Sequence, residues 1–169
     1  MYCYRHKINK KSAIGTTLPV SRLKGVSLIE LMFAIAIVSI LSTVAYASYR
    51  SSITKAKRVE AKSAIFKAMQ QEERFFTQNN RYANFGRESS DPNAAAFKWY
   101  SGETESKSSY ELRALPCKDD EVQHCIEITA IPGTTNVDAR FHDEECGSFS
   151  MTSTGHKSFS GAGNKEHCW

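Results

Sequence analysis

The stretch from Lys24 to Arg50 reads KGVSLIELMFAIAIVSILSTVAYASYR. From Val26 to Ala47 it is an apolar segment with a single charge, Glu30, near its start. A carboxylate placed in hydrocarbon costs roughly 2.5–3.5 kcal/mol even on lenient insertion scales. Three interpretations are open for such a segment: an ordinary signal peptide, a plain membrane anchor, or a segment that uses the acid.

The length of the segment favours a membrane-spanning helix. A span takes about 20 helical residues, whereas the apolar core of a secretory signal runs to roughly 7–15 residues. No convincing small-residue cleavage site follows it. Basic residues lie before it, so we expect the N-terminus in the cytoplasm and the residues after Arg50 outside it.

The formal net charge of the 169-residue chain is +4, and this charge is unevenly distributed. Residues 1–25 contain no acidic residue and hold the basic residues Arg5, Lys7, Lys10, Lys11, Arg22 and Lys24. Without them the chain has a slight acidic excess. Charge alone therefore gives no support for a nucleic-acid partner, and we do not expect nucleic acid among the partners.

The cysteines indicate an oxidising compartment for the part after the apolar segment. One of the five, Cys3, lies in the basic tail, and the others lie in the C-terminal third, at Cys117, Cys125, Cys146 and Cys168. An even set confined to the exported part predicts two disulfides.

Beyond the apolar segment the helical pattern continues. The chain from Arg50 to Gln78 contains no proline or glycine, and its apolar residues recur every three to five positions between charged ones. This is the pattern of an amphipathic helix. A continuous helix from Val26 to Gln78 would be about 80 Å long at 1.5 Å per residue.

The C-terminal half has the pattern of a small antiparallel sheet. After a loop rich in Asn, Gly, Ser and Pro, alternating runs begin at Tyr110 (YELRAL), Ile126 (IEITAI) and Ser148 (SFSMTS), with a short fourth run at His156 (HKSFS). Turn residues separate them. The predicted fold class is α+β, with a long N-terminal helix packed on a small antiparallel sheet.

Two motifs resemble those of a known family. KGVSLIEL resembles the processing site of type IV prepilins: a basic leader, a glycine, then an apolar helix with Glu as its fifth residue. The similarity covers residues 23–85 and 140–169, where CGSFSMTSTGHKSFSGAGNKEHCW resembles the ending of PilE-type minor pilins. The resemblance implies the type IV pilin fold with a disulfide-closed C-terminal loop.

The resemblance also implies a domain plan. Residues 1–25 would be a cleaved leader, 26–49 the transmembrane and filament-core helix, 50–80 its amphipathic half, and 81–169 the loop and sheet of the globular domain. A membrane peptidase would cut after Gly25 and methylate the new amine.

By the same resemblance, Glu30 would pair with the amine of Val26, either its own or that of a neighbouring subunit. This chain departs from the family in starting the mature segment with Val26, where Phe is common. It has Ser39 and Ala47 where the family often has a helix-breaking glycine and proline, so local melting is less expected.

Of the three possible disulfide connectivities, we expect Cys117–Cys125 and Cys146–Cys168, because this pairing closes two local loops in separate strand regions. The chain has no spacing typical of a zinc site, so neither a metal nor another cofactor is predicted. It also shows no nucleophile–base motif and no phosphate-binding loop, and we therefore expect no enzymatic activity.

The sequence thus predicts a minor type IV pilin, a structural subunit for pilus assembly or priming that supports twitching motility, adhesion or DNA uptake. Its partners would be other pilins, the prepilin peptidase and the pilus assembly machinery. It would reside in the bacterial inner membrane before assembly and in the extracellular pilus afterwards.

Two alternatives remain open at this point. One is a type II secretion pseudopilin, which is built in the same way. The other is a binding module at a pilus tip, for DNA or host surfaces, for which the candidate basic residues are Lys98, Lys107, Arg113, Lys118 and Arg140.

Overall fold

The structure is a computed structural model that describes residues 25–169. The predicted leader before Gly25, including Cys3, lies outside the described residues. The secondary-structure elements are α1 (Leu28–Asn79), β1 (Tyr110–Pro116), β2 (Ile126–Pro132), β3 (Phe149–Thr152), β4 (Lys157–Phe159) and α2 (Lys165–Cys168). Two short 3-10 turns, Ala94–Ala96 and Glu105–Lys107, lie between α1 and β1.

The described residues fall into two units, the first ending at Ser42 and the second being Thr43–Trp169. In the described part of the first unit, the large apolar side chains of α1 are all more than half exposed. Among the described residues, α1 has the length and composition of a helix that could cross a membrane. Lipid or neighbouring apolar helices have to cover such a surface, which agrees with membrane anchoring before assembly.

Hydroxyl groups in this apolar helix are satisfied locally. The Ser39 Oγ donates to the carbonyl oxygen of Ile35 at 2.8 Å, and the Ser42 Oγ donates to that of Val38 at 2.7 Å. Such bonds to the preceding turn let serine sit in an apolar environment without an unpaired hydroxyl. Ser39 stands where type IV pilins often have a helix-breaking residue, and here it lies within regular helix.

The second unit contains one four-stranded antiparallel sheet in the order β1-β2-β3-β4. Its register pairs Leu112 with Ala130 and Ile128 with Met151. Alternate residues of β2 are buried, as the period of two in the sequence predicts, and in β1 the same alternation is interrupted by Glu111, which is buried as well. Turns at Gly133 and Gly155 have positive φ angles of 62° and 84°, a conformation that glycine adopts without steric cost.

The core of this unit lies between one face of α1 and one face of the sheet. Ala61 and Ile65 of α1 are fully buried and belong to the same apolar cluster as Leu112, Ile128 and Phe149 of the strands. The amphipathic half of α1 thus buries the stripe that the sequence pattern indicates. The predicted α+β fold class, a long N-terminal helix packed on a small antiparallel sheet, is confirmed.

Two disulfides close segments at the ends of this sheet. Cys117–Cys125 joins the end of β1 to the start of β2, with 5.4 Å between the two Cα atoms. Cys146–Cys168 joins the segment before β3 to α2, with 5.5 Å between the Cα atoms. This is the pairing expected from the sequence. Since every cysteine of residues 25–169 is consumed in a disulfide, none of them is available as a thiolate metal ligand.

Candidate functional site

The residues predicted for processing and assembly lie at the start of the first unit. Apart from Gly25 and its two chain neighbours, no described residue has a heavy atom within 4 Å of the point where a Cβ would be built on Gly25, and Val26 is 72% exposed. Glu30 is exposed in the first turn of α1. The positive end of the helix dipole favours a carboxylate there, and its exposed oxygens can accept hydrogen bonds from an amine.

A groove in the second unit brings together lysines that are far apart in sequence. Lys57 and Lys67 line it from α1, and Lys98 and Lys107 line it from the segment between α1 and β1. We call it the lysine groove. It has a volume of about 510 Å³, and the rest of its lining is Glu60, Ser101, Gly102 and Glu103.

The charge of the lysine groove is only partly neutralised. Lys57 Nζ lies 3.1 Å from Glu60 Oε2, one helical turn away. Within residues 25–169, no carboxylate oxygen lies within 4 Å of the ammonium groups of Lys67, Lys98 or Lys107. Lys98 instead donates a hydrogen bond to the carbonyl oxygen of Gly102. Four lysines against two glutamates give the groove a positive potential that favours an anionic partner.

The loop side of the groove is held by pairing with the sheet. The amide of Leu112 donates to the carbonyl oxygen of Trp99 at 2.7 Å, and the amide of Ser101 donates to that of Tyr110 at 3.0 Å. The segment around Trp99 therefore covers the outer edge of β1, which would otherwise expose unpaired backbone groups. The segment held by this pairing contributes Lys98 to the groove that Lys67 of α1 also lines.

A cluster of two cations and two aromatic rings adjoins the lysine groove through Lys98, which belongs to both. The Arg87 guanidinium carbon lies 5.0 Å from the centre of the Trp99 ring, and Lys98 Nζ lies 4.6 Å from that of Tyr100. The two rings meet edge to face, with 5.2 Å between their centres. Cations held on rings in this way are attracted to the ring faces. Aromatic rings on which bases stack, together with arginine, are also found where proteins bind single-stranded nucleic acids.

The structure selects among the basic residues named from the sequence. It brings Lys98 and Lys107 into one groove, but it does not bring there Arg113, Lys118 or Arg140. Sequence reasoning missed Lys57 and Lys67. Lysines on an amphipathic helix are read as a solvated face, and the sequence carries no signal that a distant loop folds over that face.

A helix with an apolar first part, followed by a four-stranded antiparallel sheet and two disulfides, defines the class of protein as a type IV pilin. Residues 21–46 match the prokaryotic N-terminal methylation motif. Residues 47–150, more than half of the chain, match the family described as "Type IV minor pilin ComP, DNA uptake sequence receptor". The chain belongs to this family of minor pilins. A comparison with curated proteins found no match.

These matches decide between several predictions. The prediction of a minor type IV pilin is confirmed, and the family implies contacts with other pilins and with the pilus machinery. The prediction that nucleic acid is not a partner is wrong for the family, whose description names a receptor for a DNA uptake sequence. Net charge is an average over the whole chain and does not report local clustering, whereas the fold gathers lysines from α1 and a loop into one groove.

Proposed function

We propose that this minor pilin is a structural, non-enzymatic subunit that binds DNA on the type IV pilus, with the lysine groove as its phosphate-contacting surface. One observation carries the proposal: Lys57, Lys67, Lys98 and Lys107 line a single groove although they come from separate parts of the chain. The description of the family supports the choice of DNA among anionic partners.

The groove has the chemistry that backbone contacts require. Lysine ammonium groups that neutralise phosphates release condensed counterions, so the affinity falls steeply as salt is added. For four phosphate contacts on duplex DNA, log K should fall against log salt with a slope of roughly −3.6. Such contacts position the DNA but do not read its sequence.

The cluster of Arg87, Trp99, Tyr100 and Lys98 beside the groove adds a second kind of contact. Arg87 and Lys98 lie over the rings of Trp99 and Tyr100, and a guanidinium over a ring still has N–H donors for hydrogen bonding. Arg87 Nη1 also lies 3.9 Å from Glu105 Oε1. Arginine is the side chain that most often pairs with guanine in the major groove. We assign any base-reading contact from the loop to Arg87.

The N-terminal residues serve maturation and assembly in this proposal. A prepilin peptidase of the inner membrane cuts after Gly25 on the cytoplasmic face, and the amine of Val26 becomes methylated. Glu30 then accepts hydrogen bonds from such an amine, of its own or of a neighbouring pilin. The match to the methylation motif supports this sequence of events.

The DNA-binding proposal is tested with the full chain solubilised in detergent. Fluorescence anisotropy with a labelled duplex, titrated at several salt concentrations, compares wild type with the Lys67→Glu/Lys107→Glu double variant. We expect at least roughly tenfold weaker binding and a salt slope shallower by about two. Lys165→Glu, outside the groove, is the matched control. Equal losses in both variants, or no loss in the double variant, would contradict the assignment of the groove.

A further inference from the structure

A smaller cleft lies between α1 and the loop, next to the lysine groove. It has a volume of about 320 Å³, at the lower end of the roughly 300–1,000 Å³ found for small-molecule sites. Its side chains combine apolar, aromatic and amide groups: Ser63, Ala64, Ala68, Gln71, Tyr100 and Leu112. We call it the Tyr100 cleft. A duplex is too wide for this space, but a single planar base is not.

The Tyr100 cleft joins an apolar interior to polar groups. Ala68 and Leu112 are buried and supply apolar surface, while Tyr100 supplies an aromatic ring. The Gln71 Nε2 donates to the carbonyl oxygen of Ala96 at 2.7 Å, which fixes the amide and leaves its oxygen as an acceptor. Protein sites for unstacked nucleobases use this combination, with rings or apolar groups against the base and hydrogen bonds to its edge.

The cleft also opens into the proposed phosphate-binding surface. Lys67, Lys98, Glu60 and Ser101 line both the Tyr100 cleft and the lysine groove. A strand whose phosphates follow the lysines therefore passes the mouth of the cleft. The base of one of its nucleotides is then within reach of the interior.

We infer that the Tyr100 cleft receives one unpaired nucleotide of a DNA strand bound in the lysine groove. This inference rests on the proposed DNA-binding function and names the form of DNA that the site recognises. A base leaves a duplex only at a cost in unstacking and unpairing, which is least at a mismatch or in a single strand. The protein should therefore prefer single-stranded or mismatched DNA to a perfect duplex of the same sequence.

The test fills the cleft without changing its charge. Ser63 is exposed on α1 and lines the cleft, so Ser63→Leu places a larger apolar side chain at its opening. Thr77→Leu, at an exposed position of the same helix outside the cleft, is the control. The probes are a labelled perfect duplex, a labelled single strand carrying a fluorescent adenine analogue, and a free deoxynucleoside monophosphate as competitor, all with the detergent-solubilised full chain.

We expect Ser63→Leu to weaken single-strand binding by roughly tenfold and to abolish the fluorescence change of the analogue, with duplex binding unchanged. Thr77→Leu should behave as wild type. If wild type binds duplex but Ser63→Leu binds the single strand normally, the cleft inference is wrong and the groove proposal stands. If wild type binds neither form, the proposed function itself fails. A free mononucleotide that binds as tightly as the strand would also overturn the inference.

Discussion

Arg58 and Asp143, 85 positions apart in the chain, form a bidentate ion pair in the interior of the second unit. Arg58 Nε lies 2.8 Å from Asp143 Oδ2, and Arg58 Nη2 lies 2.6 Å from Oδ1. Both residues are buried, at 5% and 6% exposure. The same carboxylate accepts hydrogen bonds from the Tyr110 hydroxyl and from the amide of Cys146. The pair thus ties α1 to β1 and to the disulfide-closed C-terminal segment.

The ion pair predicts a large cost for removing one partner. Asp143→Asn removes the buried counter-charge of Arg58 and leaves only the half-exposed Glu145, whose Oε2 lies 2.9 Å from Arg58 Nη1. The change should lower the free energy of unfolding by up to about 3–5 kcal/mol. The control is Asp138→Asn, whose partner Arg140 is 95% exposed at 3.5 Å, and which should cost only about 0–1 kcal/mol. Denaturant unfolding followed by circular dichroism measures both. Similar losses for the two variants would show that the buried pair does not stabilise the fold.

The free energy of unfolding should depend on pH through Glu72 in the direction opposite to its dependence through Asp143. Burial raises the pKa of Glu72 from 4.5 to about 7, although the hydrogen bond from the amide of Ala83 lowers it. The pKa of Asp143 is raised by burial but lowered more by its hydrogen bonds, with Arg58 first among the donors, and the net direction is down. The stability that Asp143 contributes is therefore present above its unfolded pKa and is lost on acidification.

For Glu72 the folded state holds the proton more tightly than the unfolded state. The stability that protonated Glu72 contributes to the fold is fully present below about pH 4.5 and is lost as pH rises towards about 7. The loss across this window should be on the order of 3 kcal/mol. Unfolding free energies measured at about pH 5 and about pH 8 should differ less in Glu72→Gln than in wild type. The exposed control Glu88→Gln should keep the wild-type difference, and an unchanged difference in Glu72→Gln would rule out this carboxyl as its source.

Processing at Gly25 is predicted to depend on the absence of a side chain there. Gly25→Leu should block cleavage, because a small residue has to fit the peptidase site. Since the surroundings of Gly25 are open, a loss of cleavage would not come from a clash within the protein. Blotting for the precursor and N-terminal sequencing of the product measure the effect. Val26→Phe, which restores the residue common in the family, should still be cut, and a wild-type product starting anywhere other than Val26 would refute the assigned junction.

Glu30 is predicted to act in assembly and not in membrane insertion. The apolar side chains of the helix can pack in many registers, whereas a carboxylate paired with a neighbouring amine specifies one. Glu30→Leu should insert into the membrane at least as well as wild type and should be cut after Gly25, but should be missing from pili. The measurement compares membrane-fraction protein with sheared-pilus protein, with Ser39→Leu as a control in the same helix. Wild-type amounts of Glu30→Leu in pili would leave Glu30 as a boundary residue without a pairing role.

Local periodicity was enough to predict most of the fold. The helix was predicted from Val26 to Gln78 and extends over Leu28–Asn79, and the four strand patterns coincide with β1 to β4. Helical and strand periods are properties of neighbouring residues, so one sequence reveals them. The burial of two charged residues of α1 could also have been predicted from the sequence. Arg58 and Glu72 lie on the same helical face as the buried Ala61 and Ile65, since successive members of this set are three, four and seven residues apart.

The candidate DNA-binding site required the tertiary structure. The sequence named Lys98 and Lys107 but gave no reason to join them to Lys57 and Lys67. The four lysines share a groove because the loop after α1 folds back towards the helix. The position of this loop is set by its hydrogen bonds to β1, including the one at Trp99. The sequence by itself thus determined the elements, the membrane segment and the pilin class, because these follow from local patterns. Only the tertiary structure decided which charges meet, because electrostatic potential depends on distance in space and not along the chain.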